Sequence, residues 1–113
     1  MNVLFLCSKN QWRSPTAERI FRDFDGLAVR SAGTNQSARR VVSLRDIAWA
    51  DVIFVMEQKH LDRLREGYRD AVRAKVVFVL EIGDDYPYMD KELVEVLKER
   101  VCPILESMRT DEE

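Results

Sequence analysis

Three continuously apolar runs, Val3–Leu6, Val52–Val55 and Val76–Val79, constrain this chain more than any other feature. A strand with one wet face alternates apolar and polar residues. An unbroken run belongs to a strand covered on both faces, as in a parallel sheet. With their flanks the runs predict strands at Asn2–Cys7, Asp51–Met56 and Lys75–Leu80, and a shorter strand is expected at Leu27–Arg30, closed by Ser31-Ala32-Gly33-Thr34. Helical patterns lie between them. Ser14-Pro15 reads as an N-cap followed by proline at the first helical position, and Ala17, Ile20, Phe21 and Phe24 mark one face up to Asp25-Gly26. Ser43-Leu44-Arg45-Asp46 reads as a capping box for a short helix through Trp49. Glu57–Val72 repeats Leu61, Leu64, Tyr68 and Val72 at helical spacing. A last helix from near Asp90 is expected to bury Leu93, Leu97, Val101, Ile104 and Met108, with Pro103 breaking or kinking it near Cys102. Residues 35–42 follow neither period.

Right-handed crossovers turn this order into an α/β fold, a three-layer sandwich with a four-stranded parallel sheet of order 2-1-3-4 and helices on both faces. Its 113 residues are the size of one domain, 1–113. No apolar run approaches the roughly 20 residues of a membrane span. Met1 leads into an apolar run with no basic region before it, so no signal peptide is expected. Two cysteines, Cys7 and Cys102, are too few for a disulfide framework and suit a reducing cytoplasm. One histidine, His60, argues against most zinc sites and against a Ser-His-Asp triad; at Glu57-Gln58-Lys59-His60 it reads as an exposed helix residue. The net charge of −2 excludes a strongly basic nucleic-acid binder. Residues 1–45 nevertheless hold eight Lys/Arg against three Asp/Glu, which suits a small anionic ligand held in the N-terminal part.

In a 2-1-3-4 sheet, ligands bind outside the carboxyl ends of the strands, beside the switch point between strands 1 and 3. Cys7-Ser8-Lys9-Asn10-Gln11-Trp12-Arg13-Ser14-Pro15 lies there, joining a strand end to a helix start. Backbone N–H groups of such a loop form a concave nest for a tetrahedral oxyanion, and the helix dipole adds positive charge. Arg13 supplies a two-pronged clamp for phosphate oxygens. That setting favours the thiolate of Cys7, placed to attack the phosphorus of a bound monoester and form a phosphocysteine. Ser14 stands ready to donate a hydrogen bond to the thiolate while capping the helix. The loop lacks glycine and any Gly-Lys-Ser/Thr, which argues against a Walker-type nucleotide site.

The chain resembles the low-molecular-weight protein tyrosine phosphatases in Val3-Leu4-Phe5-Leu6, Cys7–Ser14, Pro15-Thr16-Ala17-Glu18, Ser31-Ala32-Gly33-Thr34 and Ala50-Asp51-Val52-Ile53-Phe54-Val55-Met56. The resemblance implies Cys7 as nucleophile and Arg13 as phosphate clamp. It implies a phosphate-binding loop of Ser8, Lys9, Asn10, Gln11, Trp12, Arg13 and Ser14. Asn10 would hold an unusual backbone conformation, Ser14 would assist the leaving thiolate, and Ser31 would brace Asn10. The family's general acid is an aspartate followed by Pro-Tyr. Here Asp84 takes that position, Asp85 replaces the proline and stands as the alternative acid, and Tyr86 takes the tyrosine's place. Tyr86 and Tyr88 are candidates for the pocket mouth or for packing over the sheet edge.

Three departures from the family matter. Lys9 stands where relatives have glycine, a strain if that position needs φ > 0. Trp12 replaces the second cysteine of many eukaryotic members and either walls the pocket or joins the core. Ser31–Asp51 is short for a substrate-lining rim, so a shallow, open pocket is expected. The function expected is phosphomonoester hydrolysis without metal or cofactor, on a phosphorylated protein or a small phosphomonoester, with no nucleic acid or membrane as partner. Phosphotyrosine proteins are the substrates the resemblance implies, and polyanionic small molecules such as inositol polyphosphates are the alternative. Arsenate reduction would need further cysteines. A non-catalytic anion-binding or phosphocarrier module would have no use for Asp84.

Overall fold

The computed structural model describes residues 1–111. Its elements run β1 (Asn2–Cys7), α1 (Arg13–Phe21), β2 (Ala28–Gly33), α2 (Leu44–Trp49), β3 (Val52–Val55), α3 (Gln58–Arg73), β4 (Val76–Val79) and α4 (Lys91–Asp111). The strands form one parallel sheet in the order β2-β1-β3-β4, as the apolar runs predict.

Side chains alternate across the central strands and divide the core into two layers. Val3, Phe5, Cys7, Val52 and Phe54 face α1 and α4, where Ala17, Phe21, Leu93, Leu97 and Val101 are buried. Leu4, Leu6, Ile53 and Val55 face α2 and α3, where Ile47, Leu61 and Leu64 are buried. On the first face Phe21, Phe5, Phe54 and Phe78 form a ladder of stacked rings with centroids 5.4–5.6 Å apart. Among the described residues, no helix is long and apolar enough to cross a membrane.

Four local expectations change. β2 runs past Arg30 to Gly33, because Ser31, Ala32 and Gly33 continue the register against Phe5, Leu6 and Cys7. α1 begins at Arg13 with Trp12 as N-cap and no side-chain cap bond, so Ser14 is not the cap. Its hydroxyl turns to Cys7 instead. α3 contains one non-helical residue, Tyr68. α4 continues through Pro103 without a break. Pro103 lies on the exposed side, while Val101 and Leu105 anchor the other side in the core. The carbonyl that proline leaves unpaired belongs to exposed Glu99, where water can satisfy it. The capping box at α2 forms as read: Ser43 Oγ accepts from Asp46 N, and Asp46 Oδ2 accepts from Ser43 N.

Candidate active site

The loop from Cys7 to Ser14 joins the end of β1 to α1, next to the crossover between β1 and β3. Its backbone is held from outside by residues 34–39. Thr34 N donates to Cys7 O at 2.9 Å, Asn35 N to Ser8 O at 3.0 Å and Arg39 N to Lys9 O at 2.9 Å. Arg39 Nε donates to Asn10 O at 3.0 Å. Four successive carbonyls are thus tied away from the pocket. In a planar trans peptide the following N–H points the opposite way, so the amides of Ser8, Lys9, Asn10 and Gln11 turn inward. The four amides form a concave set of donors, and its cause is the polar stretch from Thr34 to Arg39.

Gly33 makes this approach possible. A Cβ there would lie 2.5 Å from both Ser8 O and Ala38 Cβ, and 3.1 Å from Asn10 N. The first contact is with backbone, which cannot swing aside. Gly33→Ala is expected to destabilise the fold by about 1–3 kcal/mol, by analogy with overpacked interiors, and to weaken phosphate binding. Urea unfolding and phosphate titration of the same variant check both effects.

A chain of side-chain hydrogen bonds orients the thiol. Asn10 is buried with φ 56°, the left-handed region that asparagine tolerates. Lys9 is not among the residues with positive φ, so it carries no strain of the kind considered for a missing glycine. Asn10 Nδ2 donates to Ser14 Oγ at 2.9 Å and to Ser31 Oγ at 3.0 Å. Ser31 Oγ in turn donates to Glu18. Arg39 Nη2 donates to Asn10 Oδ1 at 3.2 Å, which fixes the amide's orientation. With its oxygen accepting from Asn10, Ser14 has one hydrogen to give, to Ala32 O at 3.3 Å or to Cys7 Sγ at 2.9 Å, and a thiolate is the stronger acceptor of the two.

Arg13 is 1% exposed. Nη1 donates to Glu57 and to Ile82 O, the latter at 2.8 Å, which locks the guanidinium plane. Burial pulls the Glu57 carboxyl up, but the hydrogen bond and charge of Arg13 outweigh it and leave the group below its ordinary range. Arg13 Nε is buried with no hydrogen-bond acceptor in the chain, and Asp84 Oδ1 stands 3.5 Å away. A buried donor without an acceptor is costly, and an oxyanion in the pocket would satisfy it.

Cys7, Ser8, Lys9, Gln11, Trp12, Arg13 and Asp84 line one cavity of about 120 Å³. Asp85 is not among them; its Oδ2 stands 3.1 Å from where a Cβ on Gly83 would lie. Tyr86 packs against the first core cluster, whereas Tyr88 is half exposed and lines a neighbouring groove. Trp12 is 44% exposed, a wall rather than a core residue. Lys9 Nζ donates to Ser37, and Arg40 is committed to Ser31 O and Asp46. Among the described residues, no group of three His, Cys, Asp or Glu stands close enough to hold a metal ion.

His60 is buried, not exposed as its polar neighbours suggest. It occupies the third position of α3 and closes a reciprocal cap with Glu57: its Nδ1 accepts from Glu57 N at 2.9 Å. The proton therefore sits on Nε2, which donates to Ser8 Oγ at 2.9 Å. Sequence reasoning missed Glu57 and Glu18, and it missed the bonds by which His60 and Arg39 hold the loop. Glu-x-x-His at a strand-to-helix junction is the signal that would have found two of them.

Burial and the Arg13 charge lower the His60 pKa to about 4, against an opposing pull from Glu57. Between about pH 6.5 and about 4 the unfolded chain therefore binds a proton that the folded one refuses, and stability falls as pH drops through that window. His60→Asn is expected to flatten the slope of the urea midpoint against pH over this range. Glutamine is long enough to bring its amide nitrogen near the Nε2 position and donate to Ser8 Oγ, so His60→Gln is expected to retain more phosphate affinity than His60→Ala.

The family model for the low molecular weight phosphotyrosine protein phosphatase matches residues 2–45. No curated protein matches the chain in sequence. Among solved structures, the YwlE arginine phosphatase from Geobacillus stearothermophilus is similar with a TM-score of 0.74 and 19% identity, over 99% of this chain and 97% of that one. A YwlE arginine phosphatase mutant with a phosphorylated active-site serine gives 0.77 and 19%, over 98% and 97%. The low molecular weight protein tyrosine phosphatase SP-PTP from Streptococcus pyogenes gives 0.77 and 16%, over 94% and 91%. Residues 2–45 match the family model of the low molecular weight phosphotyrosine protein phosphatases, and the chain as a whole shares the fold of these solved structures.

Proposed function

We propose that this protein hydrolyses phosphomonoesters through a phosphocysteine on Cys7, with Asp84 as general acid and base, and that phosphorylated proteins, phosphotyrosine proteins among them, are its substrates. The observation that carries this reading is the convergence on one small cavity of the Cys7 thiol, a nest of backbone donors, the unsatisfied Arg13 Nε and the Asp84 carboxyl.

In the first step the Cys7 thiolate attacks phosphorus while the bond to the leaving oxygen breaks. Asp84, in its acid form, passes its proton to that oxygen. The loop amides and Arg13 hold the equatorial oxygens as charge develops on them. In the second step Asp84, now a carboxylate, takes a proton from water. The resulting hydroxide displaces the Cys7 thiolate from phosphorus and inorganic phosphate leaves. The Ser14 hydroxyl stabilises the thiolate both before attack and on departure. Among neighbours of the same fold, a YwlE arginine phosphatase mutant with serine in place of an active-site cysteine carries phosphate on that serine, which favours a covalent route by analogy.

A cavity of about 120 Å³ is well below the roughly 300 Å³ of the smallest typical ligand pockets. It suits a phosphate group and leaves the rest of the substrate outside, beside exposed Trp12. Weak discrimination between phosphotyrosine and other accessible phosphomonoesters follows. Hydrolysis of p-nitrophenyl phosphate, blocked by vanadate and unaffected by chelator, tests the reading. Phosphate binding without turnover would reassign the protein as an anion-binding module.

A further inference from the structure

A second concavity of about 360 Å³ opens beside the catalytic one, and Gln11 belongs to the wall of both. Arg19 and Arg22 line it from α1 and the residue that ends it, Arg39 from the loop brace, and Tyr88 from the segment before α4. Tyr88 is held there because the next residue, Met89, donates its N–H to Thr16 Oγ1 on α1 at 2.9 Å. Glu18 is the one anion in the lining, and Ser31 occupies its carboxylate from the buried side. Arg19 meets Asp23 at 3.6 Å across an exposed pair, a contact weak enough to yield to a better anion. No ion pair holds Arg22 or Arg39 among the described residues; Arg39 gives Nε and Nη2 to Asn10. The catalytic mechanism uses none of the charge on Arg19 or Arg22.

We infer that this groove is a substrate subsite for a second anionic group, and that the occupant is an acidic side chain of the phosphorylated peptide. The inference rests on the phosphatase reading and names the substrate class for it. Distance selects the peptide over a compact polyphosphate. Arg19 and Arg22 lie six and nine residues along the chain from Arg13. At about 1.5 Å per residue that is roughly 9 and 13 Å along the helix. An extended peptide covers about 3.3 Å per residue, so an Asp or Glu two to four positions from the phosphorylated residue reaches the groove. A phosphate on the same small ring does not. Tyr88 adds an apolar face for the intervening side chain.

The test uses the full chain carrying Cys7→Ala, so that binding is read without turnover. Three phosphotyrosine peptides are titrated at low and at physiological salt: one with neutral flanks, one with aspartates two to four residues before the phosphotyrosine, and one with them after it. Inositol hexakisphosphate is the compact polyanion. One of the two acidic peptides is expected to bind at least tenfold tighter than the neutral one at low salt. That advantage should shrink at about 0.15 M salt, where the Debye length is about 8 Å, and vanish in the Arg19→Gln/Arg22→Gln background. Affinities within twofold for all three peptides, or an advantage that survives the double substitution, would overturn the subsite. So would an inositol hexakisphosphate affinity that depends on Arg19 and Arg22 more steeply than the acidic peptide's does. Failure of the phosphatase reading is distinct: it shows as no p-nitrophenyl phosphate hydrolysis by the unmodified chain.

Discussion

Cys7→Ala is expected to abolish turnover while leaving phosphate affinity within a few-fold of the parent. The two effects separate because different groups supply them. In the proposed mechanism the Cys7 thiolate attacks phosphorus, whereas binding rests on the loop amides and Arg13. Those are fixed by contacts that do not involve the sulfur: carbonyls tied to Thr34, Asn35 and Arg39, and a guanidinium anchored on Glu57 and Ile82 O. Alanine also fits where Cys7 packs against the first core cluster, so the loop keeps its shape. Isothermal titration with phosphate or vanadate, beside an activity assay, reads both quantities. Residual hydrolysis in Cys7→Ala above a mock purification would remove the covalent mechanism. Loss of phosphate binding together with activity would move the cause from chemistry to loop collapse.

The second large effect belongs to Asp84. Removing a general acid typically costs about 10²–10⁴ in rate. Asp84→Asn should show that loss with phosphotyrosine or an alkyl phosphate, whose leaving oxygens need a proton. The loss should be much smaller with p-nitrophenyl phosphate, which leaves as a stable anion. The dependence on leaving group separates acid catalysis from a general weakening of the site, since misplacement of Arg13 would slow both substrates alike. Asp84 Oδ1 stands 3.5 Å from Arg13 Nε, so that possibility has to be met directly. Asp85→Asn is the control, expected to be mild because Asp85 lies outside the cavity. A crippled Asp85 variant beside a near-normal Asp84 variant would shift the acid by one residue.

The frame of the fold was legible because it depends on periodicity. Apolar runs at β1, β3 and β4 can be buried only between two helical layers, and the crossover rule then fixes the strand order. The capping box at Ser43 was legible because its two bonds are local. The parts that escaped depend on long-range polar contacts. Residues 34–39 carry no hydrophobic signal, yet they shape the Cys7–Ser14 loop through three backbone bonds and one from the Arg39 side chain. Ser14 has the features of an N-cap, but its hydroxyl serves Cys7 and the helix starts earlier. His60 among Gln58 and Lys59 has the composition of a wet helix turn, but its two ring nitrogens are held by Glu57 N and Ser8 Oγ. Arg40 counts among the eight basic residues of the N-terminal part, but its guanidinium is held by Asp46 and Ser31 O.

The covalent intermediate is the most direct test. The chain carrying Asp84→Asn, to slow the breakdown of phosphocysteine, is mixed with p-nitrophenyl phosphate, quenched in acid within a turnover and digested for mass spectrometry. The expected result is one added phosphoryl group, confined to the peptide that contains Cys7, absent from the Cys7→Ala chain and lost on a chase without substrate. Steady release of phosphate with no phosphoryl group on Cys7 at any quench time, or with the group on another residue, would contradict hydrolysis through phosphocysteine.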